Sequence, residues 1–157
     1  YASDNIEVIE IGVPAEHVTT IDHDMELPTK EFNPEREFSG QKFVHNKADE
    51  ATWSDFRIPG FTCRDTTIAK NTKNVAGVQV IRPNGKAIKP TKHDCDILFN
   101  FVMEGKMTLS ADGQPTHKLT AGDAFVIPPN LMTVYSNISK DLELLEVSLP
   151  GVFKTNY

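Results

Sequence analysis

The sequence predicts an all-β fold, a barrel or sandwich of short strands behind an irregular N-terminal arm. Three observations predict it. Short apolar runs recur at 77–81, 97–103, 106–110, 124–127, 131–135 and 142–149. Turn signals separate them, at Asn84-Gly85, Asp112-Gly113 and Pro128-Pro129-Asn130. No helical period persists long enough for a core helix, although a short helix is expected over 68–72. Many short strands with close turns are the mark of an all-β barrel or sandwich.

Composition narrows the class. The chain has 157 residues, 39% hydrophobic and 24% charged, enough for one domain with a core and an appendage. The net charge is −6. Nucleic acid and anionic membranes reward basic patches, so neither is expected as a partner. No apolar run approaches the roughly 18 residues that signal a membrane-spanning helix. The two cysteines, Cys63 and Cys95, are too few for a disulfide framework and match no zinc spacing. Free thiols fit a reducing cytoplasm, which is the expected location.

Three regions follow along the chain. Residues 5–13 are β-branched and stop at Pro14, so they read as a strand. Residues 21–60 are polar, carry Pro28, Pro34 and Pro59, and read as a linker or arm, with a short strand at 42–45. A long irregular stretch is uncommon inside a compact domain, so it implies a connection or an arm laid on a surface. Trp53, Phe56 and Phe61 are placed over an opening of the main domain, which spans 61–157. Core burial there is assigned to Val80, Phe99, Phe101, Val102, Phe125, Ile127, Leu145 and Val147, at roughly 1.5–3 kcal/mol per large side chain.

An internal repeat links the two ends. Residues 6–14 match 142–150, with Glu7, Glu10 and Pro14 in register with Glu143, Glu146 and Pro150. The offset is 136 residues, about one barrel plus a linker. Residues 1–20 are accordingly expected to be the closing strand of a preceding barrel, so that the protein extends upstream of Tyr1.

The spacing of the motifs carries a family resemblance. Gly85 is followed by five residues, then Thr91-Lys92-His93, four residues, Leu98, six residues and Gly105. Gly122 is followed by five residues, then Pro128-x-Asn130, two residues, Thr133, three residues and Asn137. Both patterns resemble the two motifs of the cupin superfamily, glycines and proline included. The resemblance implies a double-stranded β-helix, the jelly-roll barrel. Gly105 and Gly122 fall at hairpin corners where positive φ is cheap only for glycine. Pro128 falls at the barrel rim, where a missing N–H is tolerated.

In that family the four ligand positions point into the barrel and hold Fe, Mn, Ni or Zn, ions suited to imidazole and carboxylate. Here those positions are Thr91, His93, Leu98 and Thr133. Only His93 is a good ligand, whereas catalytic metal sites hold their ion with about three protein ligands. No metal cofactor is expected. The alternative is a divalent ion on a rearranged site, His93 with Cys95 or Asp96. His117 is read as a rim or surface residue.

The candidate ligand pocket comprises His93, Thr91, Leu98, Asn100, Thr133, Tyr135, Arg64 and Gln79. Asn100, Tyr135 and Gln79 fall on strands with one inward face, where they can orient a ligand. Residues 61–66 and 77–82 resemble a group of bacterial cupins with an Arg-Asp pair before the barrel, here Arg64-Asp65. An arginine at a barrel mouth can grip a carboxylate or phosphate. The competing reading of Arg64 is a salt bridge that fixes the arm.

The expected function is a degenerate cupin domain without a standard metal site. It binds a small polar or anionic ligand, or supports a partner barrel. One alternative is a metal-dependent cupin dioxygenase or isomerase with an unusual site around His93. Another is a structural module, a homodimer or an intrachain cupin pair, since cupins exchange strands when they dimerise.

Overall fold

The computed structural model describes residues 3–21 and 23–157. They form two compact units, one ending at Asn33 and the other running from Pro34 to Tyr157. In the first unit the described residues form neither helix nor strand. The strand expected over 5–13 is therefore not formed. Alternating β-branched residues favour an extended chain, but a strand also needs a neighbour for its N–H and C=O groups. Ile6 and Val8 remain 57% and 76% exposed.

In the second unit the chain forms β1 (Glu37–Phe38), β2 (Gln41–Lys42), β3 (Ser54–Asp55), β4 (Phe61–Asp65), α1 (Ile68–Asn71) and β5 (Gly77–Pro83). It continues with β6 (Lys92–His93), β7 (Ile97–Glu104), β8 (Lys106–Ala111), β9 (His117–Thr120) and β10 (Ala124–Val126). The last three strands are β11 (Thr133–Ser136), β12 (Glu143–Leu149) and β13 (Thr155–Asn156). Two sheets face each other. The larger has six strands in the order β10-β7-β12-β5-β4-β3, the smaller three in the order β11-β8-β9. Every pairing is antiparallel. Strand β6 pairs with β13, and Thr91 bridges to Thr133. This is the all-β jelly roll that the motif spacing implies, and the short helix lies where expected.

The arm departs from its expected form. Of the strand expected at 42–45 only Lys42 is in a strand, the end of β2, which Ser39 and Gly40, both at positive φ, turn back against β1. Further on, β3 adds to the edge of the large sheet. Phe56 and Ile58 enter the core beside Phe61. Trp53 does not. It lies under the Arg82 guanidinium, 4.5 Å from the ring centroid.

Register decides what faces inward. On β12, Leu144 sits between Val102 and Ile81, Glu146 between Asn100 and Gln79, and Ser148 between Leu98 and Gly77. These residues share the inner face, because side chains alternate along a strand. Leu145 and Val147 take the outer face, with Phe99, Phe101 and Val80 as register partners. The expected core is thus correct for Val102, Ile127 and Phe125, which belong to or pack on the inner cluster. Val80 and Val147 are buried on the outer face instead, and Phe99, Phe101 and Leu145 are half-buried there. A one-residue slip in register moves a whole strand's side chains across the sheet.

Glycine is required at Gly105, between β7 and β8. Its φ is 75°. A Cβ there would meet Ser139 Oγ at 2.5 Å and the Leu142 backbone N at 2.7 Å.

Candidate functional site

The inner face carries two polar rungs. The first gathers the four motif positions. Thr91 and Thr133 exchange backbone hydrogen bonds of 2.8 and 2.9 Å. His93 reaches across to the carbonyl of Ile127 through Nε2, 3.0 Å away. The Ile127 N–H in turn donates to the Leu98 carbonyl at 3.0 Å. All four motif side chains are buried.

The second rung lies one step further along the same strands. Asn100 follows Leu98 on β7, Glu146 precedes Ser148 on β12, and Tyr135 follows Thr133 on β11. Arg57 donates to both Glu146 oxygens, at 2.5 and 3.4 Å. Its guanidinium lies 4.9 Å from the Phe56 ring centroid and 4.9 Å from that of Phe153, and it donates to Thr155. Burial pushes the Glu146 carboxyl up, against the Arg57 charge that pulls it down. Asn100 and Tyr135 are different. The Asn100 amide N and O and the Tyr135 hydroxyl are buried with no partner among the described residues.

Comparison with known proteins agrees with this geometry. The cupin domain family matches residues 77–148. Residues 77–148 form a cupin domain. No curated protein matches it. Among solved structures, KdgF from a Halomonas species is similar at TM-score 0.56 and 21% identity, covering 67% of this chain and 93% of that one. An RmlC-like cupin from Shewanella frigidimarina is similar at TM-score 0.55 and 18% identity, covering 71% and 94%. The polyketide cyclase RemF from Streptomyces resistomycificus is similar at TM-score 0.57 and 20% identity, covering 74% and 84%. At these identities the likeness is one of fold.

The donors at this cupin's four motif positions do not fit a divalent metal. Leu98 presents an apolar side chain, 1% exposed. Thr91 and Thr133 offer neutral hydroxyls, and that of Thr133 donates to the Thr91 carbonyl at 3.3 Å. Both nitrogens of His93 are taken. A carbonyl only accepts, so Nε2 carries the proton that bonds Ile127. Nδ1 is then the acceptor for the Cys95 thiol, 3.0 Å away. Burial lowers the His93 pKa and raises that of Cys95 to about 11, so both stay neutral. A thiol so placed is inert. Asp96 is exposed. Among the described residues no group of three or more His, Cys, Asp or Glu is placed to hold an ion.

A pocket of ≈ 640 Å³ opens at the barrel mouth. Leu109, Ile127 and Leu131 give it apolar walls, and Gln114, His117 and Thr133 give it polar groups. His93 holds its rim from behind. It donates to Ile127, and its own carbonyl accepts from the Asn130 N–H at 2.8 Å. A smaller side pocket of ≈ 100 Å³ lies over Gln79, Glu146, Ser148 and Phe153.

Of the candidate pocket residues, the structure brings together His93, Thr91, Leu98, Thr133, Asn100 and Tyr135. Gln79 stands in the Glu146 row, at the side pocket. Arg64 is elsewhere. It pairs with Val80 and so takes the outer face. There it donates to Asn46 Oδ1 at 3.0 Å, a bond to a neutral amide of the arm in place of a salt bridge. Sequence reasoning missed Arg57 and Glu146. Glu146 was visible, with Glu143, as an acid in a largely apolar strand, but its partner lies 89 residues away. His117 is on the rim as expected, yet its register partner Leu109 turns it toward the mouth pocket.

Proposed function

We propose that this cupin domain binds a small polar molecule in its mouth pocket without a metal. The ≈ 640 Å³ pocket carries the reading, because apolar walls converge there with Gln114, His117 and Thr133. Few, placed polar groups on an apolar wall are what a small-molecule site needs. His93, relieved of metal ligation, fastens the rim. The test is a fragment screen by heteronuclear NMR on the full chain. Polar fragments should shift the amides of Gln114, His117 and Leu131, and Ala111→Arg should abolish those shifts. Fragments that leave these amides unmoved, or that bind the variant equally, would sink the reading.

Support of a partner barrel is a second reading, favoured by the exposed apolar residues Ile6 and Val8 in a segment that forms no strand. Light scattering checks it. Ile6→Asp with Val8→Asp should dissociate any assembly, and a monomer in both forms overturns self-association.

A further inference from the structure

A second cleft, of ≈ 460 Å³, shares no lining residue with the mouth pocket. The two take opposite ends of β11. Thr133, its first residue, lines the mouth pocket, and Ser139 and Lys140, beyond its last, line this cleft. The loop after β5 closes the other side.

The floor of the cleft is fixed by the fold. Ile88 and Ile138 line it and pack on the hydrophobic core. Ile88 lies so close to Gly60 that a Cβ there would meet Ile88 Cγ1 at 2.5 Å. The Asn84 amide donates to the Phe61 carbonyl at 3.1 Å and accepts from the Lys86 N–H at 3.1 Å. Ser139 Oγ accepts from the Lys106 N–H at 2.8 Å and donates to the Lys106 carbonyl at 3.2 Å. The neutral polar side chains of the lining are thus engaged by backbone groups.

What remains is charge. Lys86 and Lys140 line the cleft, and no acid does. In a chain with 22 Asp and Glu against 16 Lys and Arg, that is a local reversal of sign. Lys140 is exposed and makes no ion pair among the described residues. Lys86 reaches Asp55 only at 3.9 Å, with both side chains exposed, and such a pair adds little. Both ammonium groups are therefore open to a ligand. At physiological salt the overall charge of −6 is screened beyond about 8 Å, so the two lysines set the local field.

We propose that this cleft binds a small organic anion, its charged head on Lys86 and Lys140 and its apolar body on Pro83, Ile88 and Ile138. The volume lies within the roughly 300–1,000 Å³ of small-molecule clefts. Lysine serves a carboxylate or phosphate head as a mobile point charge with three donors. A cation would meet two like charges. A neutral molecule would find Asn84 and Ser139 already engaged. The apolar wall separates an organic anion from a bare ion, because only a ligand with a body removes that surface from water. The site does not depend on the mouth pocket.

Phenyl phosphate carries head and body, inorganic phosphate the head alone, and benzyl alcohol the body alone. Each is titrated into the full chain while the backbone amides of Gly85, Lys86, Ser139 and Lys140 are followed by heteronuclear NMR. Phenyl phosphate is expected to shift these amides to saturation, with at least tenfold weaker binding of the other two. Added salt should weaken its binding severalfold. Lys86→Gln with Lys140→Gln should abolish the shifts, and the rest of the spectrum should stay unchanged because both side chains are exposed. No response to phenyl phosphate, an equal response to either partial probe, or a response that survives in the double variant overturns the proposal. Shifts confined to Gln114 and His117 would overturn this site and leave the mouth pocket standing. Loss of fragment binding at the mouth alone would overturn the proposed function and leave this cleft standing.

Discussion

Two neighbouring rungs inside one barrel end differently. On the first, His93 and Cys95 satisfy each other and Ile127, and Leu98 brings no polar atom. On the second, Glu146 is closed off by Arg57, while Asn100 and Tyr135 are left with no side-chain partner among the described residues. The contrast teaches how a barrel interior disposes of its buried polar groups. A buried polar group left behind must be either paired or removed, since an unpaired one costs on the order of 1–3 kcal/mol. The first rung did both, and its histidine now holds a loop. The second rung kept free hydrogen-bonding capacity at Asn100 and Tyr135.

The largest expected effect comes from Arg57. Arg57→Ala leaves the buried Glu146 carboxylate uncompensated, a loss of about 3–5 kcal/mol in urea unfolding at neutral pH. Burial already raises the Glu146 pKa above 4.5, so without Arg57 the carboxyl takes up a proton more readily still. The deficit should therefore shrink as pH falls toward 4.5. A pH-independent deficit would mean that Arg57 acts through packing on Phe56 and Phe153.

Next in size is Cys95. Cys95→Ala removes the donor to His93 Nδ1 and should cost about 1–3 kcal/mol. Cys95→Ser keeps a donor and should recover part of it. Equal losses in the two variants would show that the sulfur packs and does not bond.

A smaller effect separates the rungs by pH. The His93 pKa is depressed below its ordinary 6.5 by burial. The unfolded chain then takes up its proton first as pH drops, so the contribution of neutral His93 is complete above 6.5 and declines below it. Glu146, with a raised value, has the opposite slope. The stability cost of His93→Asn should thus shrink as pH falls below 6.5. A cost that grows on acidification would put a charged imidazole on the first rung.

The smallest effect belongs to Arg64. Arg64→Ala removes one hydrogen bond to the neutral Asn46 amide on the outer face and should cost about 0.5–1.5 kcal/mol. Fragment binding at the mouth should not change. A loss of binding without a loss of stability would return Arg64 to the site.

Much of the fold was legible because turn chemistry is local. Gly105 and Gly122 announce the hairpin corners, and the motif spacing follows from strand lengths between them. The replaced ligand positions were legible for the same reason, since each is one letter at a known offset. Arg57 was not, because it meets Glu146 across 89 residues of chain. The outward face of Phe99 and Phe101 was not legible either. Their runs are apolar at both parities, and only pairing with β12 and β10 sets which parity faces in.

By itself, the sequence determined that this chain closes an all-β cupin barrel in which three of the four usual metal positions hold Thr91, Leu98 and Thr133. That is a matter of residue identity and short-range turns. Only the tertiary structure decided that His93 is spent on Ile127 and Cys95, that Arg64 faces away, and that Asn100 and Tyr135 stand unpaired on facing sheets. The reason is physical. Whether a buried polar group is satisfied depends on which distant strand lies opposite, and the packing of two sheets settles that.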